Sequence, residues 1–168
     1  VTFTGMHGSF KYKNSDAPML TNEESIELAK ILPTCDIFLT HDKARTNNEE
    51  NSHSGLEGIT QYILDKKPDA IFAIDEYAVV TAMKFCLKNG LNVPDDISII
   101  GFADGLWSRR MTPSLSTISQ HAPEIGQKTA ELIIKRIEEI PDSESEKIFE
   151  TAVIKTELRK RDSVRKLS

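Results

Sequence analysis

Ala70-Ile71-Phe72-Ala73-Ile74 is an apolar run that stops abruptly at two carboxylates, Asp75-Glu76. It follows Pro68-Asp69 and precedes residues 77–89, where Val79, Ala82, Met83, Cys86 and Leu87 recur at helical spacing. Asn89-Gly90 has the form of a helix C-cap. Pro94-Asp95-Asp96 then turns the chain into a second apolar run, Ile97-Ser98-Ile99-Ile100, ending at Gly101-Phe102. A strand without a polar face is covered on both sides, and such strands separated by helices predict a parallel sheet with helices on each side. In sheets of this kind ligands bind where the carboxyl ends of the strands and their loops gather.

Upstream the alternation continues. Thr21-Asn22-Glu23-Glu24 has capping-box spacing ahead of Ile26, Ala29 and Leu32, so residues 22–32 read as a helix stopped by Pro33. Residues 36–40 (Asp-Ile-Phe-Leu-Thr) read as a buried strand, followed by a polar loop from His41 to Ser52. Ser54-Gly55-Leu56-Glu57 repeats the capping-box pattern and opens a helix with Leu56, Ile59 and Ile63 on one face, closed before Pro68. Residues 36–40, 70–74 and 97–101 are thus expected as neighbouring parallel strands joined by right-handed crossovers through helices near 56–66 and 77–89.

After residue 118 the pattern changes. Residues 123–139 form a predicted helix with Ile125, Ala130, Ile133, Ile134 and Ile137. Residues 141–147 read as a loop, and 148–158 alternate like a half-buried edge strand. The basic tail, Arg159 to Ser168, is expected to fray in solvent.

Composition narrows the function classes. The chain has 168 residues, 39% hydrophobic and 28% charged, which describes a globular chain of one domain or slightly more. A formal net charge of −5 argues against these residues holding nucleic acid by themselves, since phosphate binding is driven by clustered Lys and Arg. No stretch is apolar over the roughly 20 residues of a membrane span, and no secretory signal pattern is visible. Cys35 and Cys86 sit in apolar runs without metal-ligand spacing; they read as buried reduced thiols, consistent with a cytoplasmic protein. The chain begins at Val1, as a piece of a longer protein would.

The search for catalytic equipment is mostly negative. His7, His41, His53 and His121 lie in separate segments, and there is no HExxH, GxSxG, GxGxxG or Walker-type phosphate loop. His41 directly follows a strand and stands at a strand end, either as a site residue or as an exposed loop histidine. Asp75 and Glu76 meet the start of a helix, where a carboxylate serves either as a cap or as an acceptor for ligand hydroxyls. Asp104, after Gly101-Phe102, is in the same position one strand later. Trp107, the only tryptophan, follows in the next loop, with an indole suited to stacking on a sugar or a base and equally to an interface.

Three stretches together resemble the effector-binding domain of LacI/GalR-type transcriptional repressors: residues 68–75, residues 90–102 (Gly-Leu-Asn-Val-Pro-Asp-Asp-Ile-Ser-Ile-Ile-Gly-Phe) and residues 112–120 (Thr-Pro-Ser-Leu-Ser-Thr-Ile-Ser-Gln). Ile125-Gly126 and residues 157–163 are similar to that family's last helix and tail. The resemblance covers about residues 66–163. It implies a periplasmic-binding-protein-like, flavodoxin-like lobe: an α/β fold with a parallel sheet flanked by helices. It also implies a non-enzymatic, cytoplasmic module without metal or cofactor that binds a small effector of sugar or nucleobase type. Asp75, Glu76, Asp104, Trp107 and Gln120 are the candidate ligand-binding residues. Residues 118–120 become a crossover between two lobes, with helix 123–139 packed on the N-terminal one. DNA would be reached only through an N-terminal head that these residues do not include. The chain departs from the family pattern at Ala103, where an Asp commonly follows Gly-Phe, and at Ile74, where an Asn often precedes the Asp.

The resemblance also implies a homodimer, with contacts from helix 77–89 and loop 105–111. Phe85 and Tyr77 lie off the predicted core stripe, and Leu106, Trp107 and Met111 crowd a short loop.

Residues 35–42 (Cys-Asp-Ile-Phe-Leu-Thr-His-Asp), 53–59 and Lys66-Lys67-Pro68 resemble instead a later segment of calcineurin-like metallophosphoesterases. In that family the Thr-His supplies a metal ligand and a Gly-His-x-His follows the Lys-Pro; here Lys67-Pro68 runs directly into the repressor-like segment. One histidine cannot build a two-metal site. The division expected is therefore residues 1–65, an N-terminal α/β segment whose origin the sequence leaves open, and residues 66–168, the C-terminal part of a LacI-type effector-binding domain. The alternative reading is an inactive phosphoesterase remnant joined to that module in a chimeric chain.

Overall fold

The computed structural model describes residues 1–7, 9–11, 19–45, 55–138 and 150–166. Along the chain run β1 (Phe3–Met6), β2 (Ser9–Phe10), β3 (Met19–Leu20), α1 (Asn22–Ile31), β4 (Ile37–Thr40), α2 (Glu57–Lys66) and β5 (Ala70–Ala73). They are followed by α3 (Glu76–Lys88), β6 (Ser98–Gly101), α4 (Leu106–Arg110), β7 (Ser116–Ser119), α5 (Ala122–Glu138) and β8 (Glu157–Arg159). Six strands form one sheet in the order β1-β4-β5-β6-β7-β8, while β2 and β3 pair separately. All ladders from β1 to β7 are parallel, and β8 runs antiparallel to β7 at the edge. The three strands read from sequence are neighbours in the expected parallel order, with Phe38, Ile71 and Ile99 in one register row. The expected boundary between residues 65 and 66 falls inside the last turn of α2, the helix that links β4 to β5 in this continuous sheet.

Local chemistry explains the element ends. Thr21 forms the predicted capping box: its hydroxyl accepts from the Glu24 N–H, and the Glu24 carboxylate accepts from the Thr21 N–H at 2.8 Å. Asp75 caps α3 by accepting the Ala78 N–H at 2.7 Å, and Gly90 closes that helix with φ +69°.

The second capping box does not stand as read. Leu56 is the N-cap of α2 and offers no side-chain cap, while Ser54 lies outside the described residues. The free amides of that first turn are satisfied from α1 instead. The Asn22 side-chain oxygen accepts from the Glu57 N–H at 3.1 Å, and the Ser25 hydroxyl accepts from the Gly58 N–H at 2.9 Å. Such an approach needs a glycine, because a Cβ at residue 58 would run into the Ser25 backbone.

The core lies on one face of the sheet. Met6, Phe38, Ile71, Ala73 and Ile99 are buried there, and Ile59 and Ile63 of α2 meet Ala78 and Ala82 of α3 over Ile71 and Ala73. Phe38 stacks on Tyr62 with ring centroids 4.0 Å apart. Leu39, one residue along from Phe38, points to the opposite face and is exposed, as is Phe3. Among the described residues α2 and α3 therefore cover the same side of the sheet.

Other readings also change. Phe85 is buried at 2% exposure, whereas Leu87, assigned to the core stripe, is 69% exposed. Residues 106–110 are a short helix rather than a loop. Of the strand expected over 148–158, residues 148 and 149 lie outside the described residues, and among the described ones only β8 is a strand. Its ladder pairs residues 157–159 with Ser119, Ile118 and Thr117 and ends where β7 ends, leaving 151–156 without a partner strand. The loop read at 141–147 lies outside the described residues. The tail does not fray up to residue 166: Ser163 is fully buried, donating to the Ile99 carbonyl at 2.6 Å and accepting the Ser116 N–H at 2.8 Å. Both thiols are free and buried; burial pushes Cys86 up to about 11.

Candidate functional site at the carboxyl ends of the strands

Parallel strands place their carboxyl ends on one edge of the sheet, where His7 follows β1 and four further connections gather: His41-Asp42-Lys43 after β4, Asp75-Glu76-Tyr77 after β5, residues 102–105 after β6 and Gln120-His121 after β7. All five candidate residues belong to these connections or to the short helix that follows one of them. The structure gives them different surroundings.

Asp75 is exposed, with one carboxylate oxygen on the Ala78 N–H, so it is a helix cap with acceptor capacity left over. Glu76, half-buried, points sideways and accepts the Trp107 N–H at 2.9 Å. Gln120 is half-buried, its side-chain amide 3.5 Å from the Phe102 carbonyl, which places β7's exit against β6's.

Asp104 is not the free acceptor expected from its position. Its side chain is 5% exposed and its oxygens are taken: Oδ1 accepts from Arg161 at 2.6 Å and from the Thr117 hydroxyl at 2.8 Å, and Oδ2 accepts from Arg159 at 2.9 Å. Arg109 adds a longer contact at 3.4 Å. Burial pushes this carboxyl up, but the hydrogen bonds from Arg161 and Thr117, with the charge of Arg161, outweigh it and hold the group below its ordinary value. Arg161 also donates to the Leu115 carbonyl and to Thr117, so this carboxylate locks the C-terminal segment to β7.

Lys43 is the residue that sequence reading missed. It sat in a polar loop that looked solvated, yet its side chain is 8% exposed and its ammonium lies 4.7 Å from the Tyr77 ring centroid. Desolvation lowers its basicity, and the charges of Asp42 and Asp75 oppose that shift. The only available signal was its place, three residues past a buried strand. His41, by contrast, is exposed. Among the described residues no group of three or more His, Cys, Asp or Glu side chains is gathered in a way that could hold a metal, and no helix is long and apolar enough to cross a membrane.

Residues 5–164 match the periplasmic binding protein-like domain. The chain belongs to that family. Within it, the chain is 37% identical over 116 residues to the probable HTH-type transcriptional repressor ExuR of Bacillus subtilis, covering 68% of this chain and 33% of that protein. It is 34% identical over 106 residues to the HTH-type transcriptional repressor PurR of Vibrio campbellii, covering 62% and 30%. Two solved structures have similar folds. A LacI family transcriptional regulator from Enterococcus faecium with bound ribose is 29% identical, with a TM-score of 0.56 over 63% of this chain and 38% of that one. Its counterpart from Enterococcus faecalis, also with bound ribose, is 30% identical, with a TM-score of 0.57 over 62% and 38%. The periplasmic binding protein-like chain thus spans about a third of the length of the curated relatives it matches. The resemblance to LacI-type effector-binding domains holds, and so does the mostly parallel α/β fold it implied.

Proposed function

We propose that this chain is the effector-binding and dimerisation part of a LacI-type transcription regulator. It would bind a small sugar-type molecule at the carboxyl ends of β4 to β7 and carry out no chemistry on it. The observation that supports this most is the gathering of Asp75, Lys43 and Gln120 at one edge of a parallel sheet, in a chain whose structural relatives include two solved with ribose. An anionic acceptor, an ammonium and an amide supply both donors and acceptors for a ring of hydroxyls. Glu76 and Asp104 act as supports behind that edge, and the exposed Trp107 ring is assigned in this reading to the dimer face. DNA recognition is not assigned to these residues, whose net charge is −5.

Two exposed apolar surfaces fit the same reading. Tyr77 and Leu87 of α3, with Leu106 and Trp107 of α4, form the face proposed to meet a second copy. The uncovered stripe of α5, with Ile133, Ile134 and Ile137, is the side on which a second lobe would pack. Calorimetric titration with ribose, and separately with a purine base, tests the effector. Ribose is expected to give saturable heat that Asp75→Ala abolishes. Because Asp75 also caps a helix, Gln120→Ala is the second variant, expected to weaken binding without lowering stability. Saturable heat from the purine base alone would change the effector class, and silence of both against the folded chain would reject the reading.

A further inference from the structure

The short helix α4 lacks a cap of its own. Gly105 is its N-cap and has no side chain to offer, so the free amides at its start need an acceptor from elsewhere. Glu76 supplies it across the fold: its carboxylate accepts the Trp107 N–H at 2.9 Å. The approach depends on Gly105, since a Cβ there would overlap the Glu76 carboxylate. The far end of α4 is held separately, by the Leu115 N–H donating to the Ser108 carbonyl at 2.8 Å.

Glu76 is the first residue of α3, immediately after Asp75. The same helical turn therefore carries one carboxylate at the strand-end edge and another that fixes where α4 begins. Leu106 and Trp107, each 58% exposed, sit at that start, with the exposed Tyr77 ring one residue beyond Glu76. Asp75 and Glu76 are adjacent in that turn, so the acceptor at the strand-end edge and the acceptor that holds α4 share one stretch of backbone.

We infer that Glu76 is a positioning residue that couples the strand-end site to the Leu106–Trp107 face through its bond to the Trp107 amide. The inference rests on the effector and dimer reading above, and its physical content is a coupling free energy between two distinct places on the molecule.

Trp107 is the only tryptophan, so its emission reports on α4 alone. Three proteins are compared, the wild type, Glu76→Ala and Glu76→Gln, by acrylamide quenching of Trp107, by sedimentation equilibrium and by the emission change on adding ribose. Far-UV circular dichroism confirms that each is folded. Glu76→Ala is expected to leave Trp107 more readily quenched, to weaken self-association about tenfold (about 1.4 kcal/mol) and to remove the emission response to ribose. Glu76→Gln retains an acceptor oxygen and is expected to restore all three. Quenching in Glu76→Ala equal to that of the wild type would overturn the inference, as would Glu76→Gln being as defective as Glu76→Ala. If the wild type binds ribose and dimerises while Glu76→Ala keeps its ribose response, the coupling fails alone. If the wild type neither binds nor dimerises, the functional reading fails and the coupling with it, whatever the quenching shows.

Discussion

Helices α3 and α5 are both amphipathic in sequence, yet their fates in the fold are opposite. α3 has thirteen residues and buries seven of them, among them Val79, Met83, Phe85 and Cys86, against β5 and β6. α5 is longer, seventeen residues with a clear isoleucine stripe, and buries none. Hydrophobic periodicity states that a helix has a face requiring cover; it carries no information about which surface covers it. In water an isolated helix of this length is marginal, and most helical stability comes from packing of the apolar face. α3 finds that packing within the sheet's own layer, while α5 extends from the end of β7 and meets none of the described core. The comparison separates a self-sufficient block, β1 to β7 with α1 to α3, from an arm whose sequence is written for a neighbour.

The largest test of the block is the carboxylate that ties the C-terminal segment to it. Asp104→Ala leaves Arg161 half-enclosed without its anion and removes the acceptor for Thr117 and Arg159. Breaking a buried pair by deleting one partner costs about 3–5 kcal/mol, read as a lower midpoint in urea. The native carboxyl is held below the ordinary aspartate value of about 3.9, so its stabilisation is fully present above that pH and is lost as the pH falls through the depressed native value. The pH dependence of stability below about pH 4 should therefore flatten in Asp104→Ala relative to the wild type. An unchanged urea midpoint would mean that the segment 157–166 is not part of the cooperative block.

Ile99→Ala comes next. Its side chain is fully buried in the central strand β6, and truncating such a residue costs about 2–5 kcal/mol through lost transfer energy and the cavity left behind. Thermal unfolding followed by circular dichroism measures it. A loss under about 1 kcal/mol would show that β6 is not the centre of the core.

Most of the block was legible because its signals are local. Strands 37–40, 70–73 and 98–101 are mostly apolar, and helices α1 and α3 carry caps written in adjacent residues. What escaped was non-local. The cap of α2 comes from Asn22 and Ser25, about 33 residues away along the chain, as the cap of α4 comes from Glu76. A tail rich in Arg and Lys looked solvated because its partners, Asp104, Ser116 and Ile99, are 45 or more residues upstream. The candidate site was legible in position, since strand ends can be read from strands, but not in role. Asp104 and Asp75 look alike in sequence, each a carboxylate just past an apolar run, and only the arginines around Asp104 distinguish them.

The smallest expected effect is the sharpest test of the comparison. Ile134→Lys changes a residue of α5 that is 54% exposed and touches none of the buried core. If α5 is an arm without a partner in this chain, no cavity forms and no buried group loses a bond, so the stability change should stay within about 0.5 kcal/mol. Lysine is, if anything, the better helix former of the two, since the β-branched isoleucine loses side-chain freedom in a helix. The same substitution places a charge in the middle of the stripe, so any self-association through that face should fall at the same time. Urea unfolding and sedimentation of the same sample separate the two effects. A loss of stability well beyond 1 kcal/mol, at a protein concentration where both forms are monomeric, would show that some part of this chain covers Ile134, and α5 would then belong to the block rather than stand apart from it.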